Sequence, residues 1–453
     1  MDGRVTGTVE HTQRVNHHPT PVRHWLSRKR LLIANGAFAI SAPVHQHWLS
    51  RKRLLIANGA FAIYATALAV DTGHADRTWA IWAAVGYGVT TLILWLTRHK
   101  NVPVIIPLLV ALAGALAAPV TWLATRVAPT AEVQVISQSA TLLLHHGTPY
   151  LAPGQLDSWL SYNPYLPLMA VFGMPKALGV NGLLADPRIW LAAVSIALIW
   201  AAFTIAAPHR HCEDCRANVM LSTVFIAASP VIAFPLAVGI TDPPVIALMF
   251  LTLALIARPS GLIRAAGALG VACAMKATAW PAVPVFTAML AARDGARSAW
   301  RFLGATILTA GLLAVLMAPA ALADPYAFLQ NTVLFPLGLT QHKTPAASPL
   351  PGHLLADTGM PGHWAAVGLL VAAGVVFAVW LIVRPPADAR DAAWRLALGL
   401  AVMFTLAPAT RWGYFVYPIG LVGWLLLTRP ATGRAIEITA QAAEEQHMPA
   451  GAR

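Results

Sequence analysis

Apolar runs, each close to the length that crosses a bilayer, follow one another along most of this chain. A hydrocarbon core about 30 Å thick needs about 20 apolar helical residues to span it. The runs fall near 54–70, 78–96, 102–123, 189–207, 220–238, 245–256, 302–322, 365–383, 396–409 and 415–427, with a longer one at 265–292. Backbone groups in lipid must be bonded within the protein, which leaves helices or closed barrels. Barrel strands would read as alternating segments of about ten residues. These runs are longer, continuously apolar and rich in Ala and Leu. The expected fold is therefore all-α, a polytopic transmembrane helical bundle of roughly 11 to 13 membrane helices, with interfacial helices on its outer face. Composition agrees: 57% of the 453 residues are apolar and 11% are charged, against about 25% charged in soluble domains.

The formal net charge of +13 raises the question of nucleic acid, but the distribution of charge argues against it. Arg and Lys cluster between the apolar runs, as they do in cytoplasmic loops. With the N-terminus inside, about 24 basic residues fall on the inner side and about 7 on the outer. The run 265–292 is the hard case. As one helix it would be about 42 Å long, and it would put Arg293, Arg297 and Arg301 outside. Lys276 interrupts it, and Pro281 and Pro284 follow. Two shorter helices forming a hairpin that returns to the cytoplasm satisfy the charge rule. Cys212, Cys215 and Cys273 do not make a secreted disulfide framework.

Residues 1–53 read as a basic cytoplasmic arm. It contains a duplication: HWLSRKRLLIANGAFAI stands at 24–40 and again, unchanged, at 47–63. Only the second copy continues into a run long enough to span. We read the first as a recent tandem copy or a misplaced gene start. A signal peptide fits less well, because the chain runs directly into further spans. Residues 429–453 read as a disordered cytoplasmic tail.

In so apolar a chain the polar exceptions carry the information. Most outer carboxylates (Asp71, Asp76, Asp157, Asp186, Asp324, Asp357) read as solvated loop charges. Glu132 opens an interfacial helix directly after a span. Asp242 stands in a short turn between two spans. The plain alternatives are a first-turn acid favoured by the helix dipole for Glu132 and a helix cap ahead of Pro243 for Asp242. Lys276 follows Arg264 by twelve residues, about 18 Å of helix. An ionisable group at that depth is a functional-site candidate, with snorkelling to the interface as the alternative. Arg411, His342 and Lys343 are candidate phosphate ligands, because such cations suit phosphate oxygens. Each alone is weak, and a belt or loop role fits about as well. His209, His211, Cys212 and Cys215 have ligand spacing permissible for a metal, but no second shell is identifiable and no metal site is assigned. No phosphate-binding loop, dinucleotide fingerprint or serine nucleophile elbow is present.

Taken together, several short motifs resemble a family. Glu132-Val133-Gln134 opens an amphipathic helix after a span. A small-residue helix ends in His146-Gly147-Thr148-Pro149-Tyr150, and Tyr162-x-Pro164-Tyr165-x-Pro167 follows. Met275-Lys276-Ala277-Thr278-Ala279-Trp280-Pro281 lies in a membrane hairpin. This pattern resembles the GT-C superfamily of polyprenyl-phosphate-sugar-dependent glycosyltransferases, and within it the bacterial, largely actinobacterial, α-mannosyltransferase group. The likeness covers about 102–418, within a transmembrane domain at 54–428. It departs from the family in three ways: Glu132 stands where Asp is common, two extra spans precede the shared module, and the duplicated N-terminus has no counterpart.

The resemblance implies an inverting transfer of a hexose, mannose first among the candidates, from a polyprenyl-phosphate sugar to an extracytoplasmic glycan or glycolipid. Glu132 would be the base and Asp242 its partner or an acceptor ligand. Lys276 and Arg411, with His342 and Lys343 as further candidates, would hold the donor phosphate. Tyr162, Pro164 and Tyr165 would shape an acceptor loop or a structural one. No cofactor is demanded, and a divalent metal is left open. The expected partners are the lipid-linked donor, the acceptor and membrane lipid, with no nucleic acid. The expected location is the bacterial plasma membrane, multi-pass, with the site outside. The competing class is a transporter or lipid flippase, which would place polar groups near the midplane on broken helices within inverted repeats. No such repeat is visible, and the polar groups here gather outward.

Overall fold

The computed structural model describes residues 49–71, 74–207 and 213–428. Most of the arm at 1–53, the first copy of the duplication, His209, His211, Cys212 and the tail at 429–453 lie outside the described residues. Among those described there are helices and a single isolated bridge, and the chain is an all-α polytopic membrane protein.

Six helices are long and apolar enough to cross a membrane alone. They include α1 (Arg51–Asp71), α2 (His74–Leu96), α3 (Ile105–Arg126) and, after the shorter α4 (Ala131–His146), α5 (Pro187–Ala206). Next come α6 (Glu213–Ala228) and α7 (Pro230–Val238), then α8 (Asp242–Ile256), α9 (Leu262–Met275) and α10 (Ala282–Asp294). The two remaining long crossers are α11 (Ala296–Met317) and α12 (Met360–Val383); α13 (Ala389–Leu406) and α14 (Val416–Leu427) close the bundle. The expected 11 to 13 crossings thus include helices shorter than a bilayer. They can be short because protein surrounds them: every residue of α8 except Leu251 is buried.

The helix ends sort onto two faces, and side chains show which ends meet. Thr130 Oγ1 at the start of α4 donates to the Val238 carbonyl at the end of α7, at 2.9 Å. We call this the α4 face. On the opposite face, Arg258 after α8 donates to the Ile205 and Ala207 carbonyls at the end of α5. Arg390 at the start of α13 donates to Leu425 and Thr428 at the end of α14, at 3.0 and 3.2 Å. Arginines here satisfy carbonyls that helix C-termini leave without partners.

The run 265–292 doubles back. α9 ends at Lys276, whose backbone is extended (φ −154°, ψ 139°). Arg293 at the end of α10 reaches the Ile256 carbonyl at 3.2 Å, so both ends of the stretch lie on the opposite face. Another crossing differs from expectation. The run 220–238 is not one helix but α6 and α7, bent by 57° at the break. Pro230 lacks an amide hydrogen, so the ladder stops there. The Ile226 carbonyl that its amide would serve accepts the Ser229 hydroxyl at 2.7 Å, and the Ala228 carbonyl at the break accepts the Tyr87 hydroxyl.

α3 carries a π turn at Ala113–Ala117 where it crosses α2. A π turn leaves carbonyls without regular partners, and the Trp79 indole N–H donates to the Ala115 carbonyl at 2.7 Å. The crossing is tight: a Cβ on Gly86 would sit 2.7 Å from Gly114 Cα.

On the α4 face lie the segments that shape the site. The 3-10 helix Pro167–Gly173 packs so closely on α4 that a Cβ at Gly173 would come within 2.5 Å of the Ile136 carbonyl. The long loop between α11 and α12 is pinned at several points. Buried Asn331 accepts from the Asn163 amide at 2.8 Å. Ala347 and Thr410 form a parallel bridge, with Ser348 N–H to Thr410 O and Thr410 N–H to Ala346 O, each at 2.9 Å.

Candidate active site

Four of the charged residues singled out from sequence meet on the α4 face. Glu132 stands in the first turn of α4. Its Oε1 accepts from Arg411 Nη1 at 3.1 Å. Its Oε2 accepts from the Tyr165 hydroxyl at 2.9 Å and from both the amide and the hydroxyl of Thr241 at 3.2 Å. A helix-end acid satisfied by the dipole alone would need none of these partners.

Asp242 opens α8 and is 1% exposed. Pro243 and Pro244 follow it and carry no amide hydrogens to cap. Its carboxylate instead pairs with Lys276, which also donates to Thr241 Oγ1 at 3.0 Å. The Tyr417 hydroxyl lies 2.7 Å from Thr278 Oγ1. Lys276 therefore does not snorkel to water. Its ammonium lies 5.5 Å from the Tyr165 ring centre and 5.8 Å from that of Tyr414, within cation–π range.

Local backbone puts these groups in place. Extended Lys276 breaks the helix and turns its side chain toward α8. Gly239 ends α7 with φ +90°, which gives the chain its sharp turn into Thr241. Leu166 N–H donates to the Met275 carbonyl at 3.0 Å, tying the residue after Tyr165 to the residue before Lys276. The Asn163 side chain accepts from the Tyr165 amide at 3.0 Å, and the Tyr150 hydroxyl donates to the Tyr165 carbonyl at 2.9 Å. Burial, and then the neighbouring Glu132 charge, push the Tyr165 phenol well above its ordinary range, so it remains a donor to the carboxylate.

Other expected positions fall elsewhere. His342 lies against the Tyr162 ring (6.3 Å between centres), and Tyr162 itself stacks on Phe335 at 4.4 Å. Lys343 is exposed on the same loop. Neither cation contacts Glu132, Asp242, Lys276 or Arg411 among the described residues. Pro164 holds the half-buried bend between Asn163 and Tyr165. Asp186 is not a solvated loop charge: it accepts from Arg188 Nε and Nη2 at 2.9 and 2.7 Å. Among the described residues no group of three or more His, Cys, Asp or Glu is placed to hold a metal. Cys215 and Cys273 are buried.

Sequence reasoning missed Thr241, Thr278, Tyr414 and Tyr417 as members of the cluster. The first stands beside Asp242 in a turn already notable for its brevity, and that was the available signal. The cluster holds two carboxylates and two cations, so it is neutral as a whole. It presents one partly accessible carboxylate beside cations, an arrangement suited to proton removal next to an anionic leaving group.

The family model for glycosyltransferase family 87 matches residues 163–408, more than half of the chain. The match includes Tyr165, Asp242 and Lys276; Glu132 and Arg411 flank it. No curated protein and no solved structure gives a significant match. A glycosyltransferase family lends nothing to the transporter alternative. A bundle of apolar helices with acids and cations joined at one face, carrying this match over most of its helical body, belongs to glycosyltransferase family 87.

Proposed function

We propose that this glycosyltransferase moves a hexose, mannose first among the candidates, from a polyprenyl-phosphate sugar to an extracytoplasmic glycan or glycolipid, with inversion. One observation carries the reading: a carboxylate, a threonine and two cations from four distant chain regions share one hydrogen-bonded site. The basic residues at the other helix ends mark that end as cytoplasmic, so the site faces out of the plasma membrane. A lipid-linked donor presents its phosphate at that level.

Polyprenyl phosphate is a good leaving group, so no general acid is required. Glu132 takes the acceptor proton. Lys276 and Arg411 stabilise charge developing on the phosphate. Asp242 is too deep to meet an acceptor, and its role is to hold Lys276. The Tyr165 and Thr241 donors fix the Glu132 carboxylate in one orientation. Tyr162 and Pro164 shape the loop that carries Tyr165.

The test is direct. Purified protein in nanodiscs is given labelled polyprenyl-phosphomannose with membrane glycolipid extract, and release of polyprenyl phosphate is followed. Turnover with nucleotide sugars and none with any polyprenyl-phosphate hexose would remove the donor class.

A further inference from the structure

The two oxygens of Glu132 are not equivalent. Oε2 already accepts from three donors, the Tyr165 hydroxyl and the two groups of Thr241. Among the described residues, Oε1 accepts only from Arg411. A carboxylate oxygen offers about two lone pairs, so Oε2 has no room for an acceptor hydroxyl. The oxygen able to take a proton is the one that Arg411 covers.

Arg411 differs from Lys276 in accessibility. The Arg411 side chain is 35% exposed, Glu132 17% and Lys276 10%. An anion arriving from the open side therefore meets Arg411 before it meets the lysine. The guanidinium makes one hydrogen bond among the described residues, through Nη1. The rest of its five-donor fork is uncommitted, and such a fork matches phosphate oxygens in pairs.

Building on the proposed function, we infer that Arg411 is exchanged between two anions. In the donor-free enzyme it covers Glu132 Oε1, and when the lipid phosphosugar enters it moves to the phosphate and bares that oxygen. A carboxylate released from an adjacent cation is a stronger base. The acceptor oxygen then attacks the anomeric carbon while its proton passes to Oε1. The bond from the anomeric carbon to the phosphate oxygen breaks, and its electron pair leaves with polyprenyl phosphate, now held by Arg411 and Lys276. Base and leaving-group stabiliser are thereby armed by one event, donor arrival.

The exchange makes a prediction that charge removal alone does not. The probe is a sugar-free polyprenyl phosphate, titrated against the parent protein, Glu132→Gln, Arg411→Gln and the double variant in nanodiscs. Glu132→Gln keeps an oxygen and an amide for its neighbours but releases Arg411. It should bind the probe roughly two- to tenfold more tightly than the parent, the range of a partly exposed ion pair. In the Arg411→Gln background the same change should leave affinity unaltered. If Arg411→Gln does not yield folded protein, Arg411→Lys, whose reach is shorter and which lacks the fork, takes its place. Unchanged affinity in Glu132→Gln overturns the exchange. So does tightening that persists without Arg411, since general repulsion by the carboxylate would then account for it. If the parent and all variants ignore the probe, the donor class itself is wrong, and the exchange falls with it.

Discussion

Asp242 directs its carboxylate away from its own helix and onto Lys276, 34 residues further along the chain. The usual duty of an acid at a helix start is to satisfy backbone amides. Two prolines remove that duty here, and the residue serves a buried ammonium instead. The arrangement makes Lys276 a fixed charge in an apolar bundle.

Removing one partner should therefore be costly. Breaking a buried ion pair typically costs about 3–5 kcal/mol because the other charge is left alone. Asp242→Asn should lower the Tm in detergent markedly and reduce donor binding. The double variant Asp242→Asn, Lys276→Met should recover most of the Tm and none of the activity. An unchanged Tm for Asp242→Asn alone would show that Lys276 is held by its hydroxyl and ring neighbours.

Glu132→Gln and Lys276→Met separate the two sides of the reaction. Loss of a general base slows chemistry by about 10²–10⁴. Glu132→Gln should lose single-turnover transfer on that scale without weakening donor binding, which release of Arg411 should tighten. Lys276→Met keeps most of the apolar stem but loses the charge, so donor affinity and rate should fall together. Transfer by Glu132→Gln at the parent's rate would reduce Glu132 to a helix-end acid.

Gly239 should tolerate no side chain. Its φ of +90° is strained for other residues by about 1–2 kcal/mol. A Cβ there would lie 2.3 Å from Val133 Cγ2 and 3.0 Å from Arg188 Cγ. Arg188 is 1% exposed and locked to Asp186, so it yields little. Gly239→Ala should lower the Tm, and displacement of Thr241 should cost up to about a hundredfold in turnover. Full activity with an unchanged Tm would mean that the turn reshapes freely.

The hairpin of α9 and α10 fixes the sidedness of everything after it. In a background with Cys212, Cys215 and Cys273 replaced by Ser, a cysteine at Ser298 should be shielded from an impermeant external reagent. A cysteine at Lys343 should react. Labelling at Ser298 would reverse the orientation of that face.

Much of the cluster was legible because charge is expensive in lipid. Glu132, Asp242, Lys276 and Arg411 stood out against apolar neighbours, and the fold unites them. Hydroxyl groups gave no such signal. Thr241, Thr278 and Tyr417 resemble many residues that bond to their own helix, as Thr252 does to Leu248 at 2.8 Å. Their meaning lies in partners far off in sequence. His342 and Lys343 were ambiguous for the opposite reason, since a cation in a long loop is cheap wherever it points. The bend between α6 and α7 was hidden by continuous apolarity around Ser229-Pro230, which masks a broken ladder.

The π turn in α3 bears on how this chain tolerates change in length. A π turn accommodates one residue more than a regular helix needs. Elsewhere in a span, removing a residue rotates all that follows by about 100° and would carry Arg126, and with it the approach to Glu132, onto another side. At Ala113–Ala117 the surplus is already absorbed. A single deletion there straightens α3 while leaving its two ends in phase, at the expense of the Trp79 hydrogen bond. The segment is thus the place where α3 can lose a residue without turning the chain that leads to Glu132.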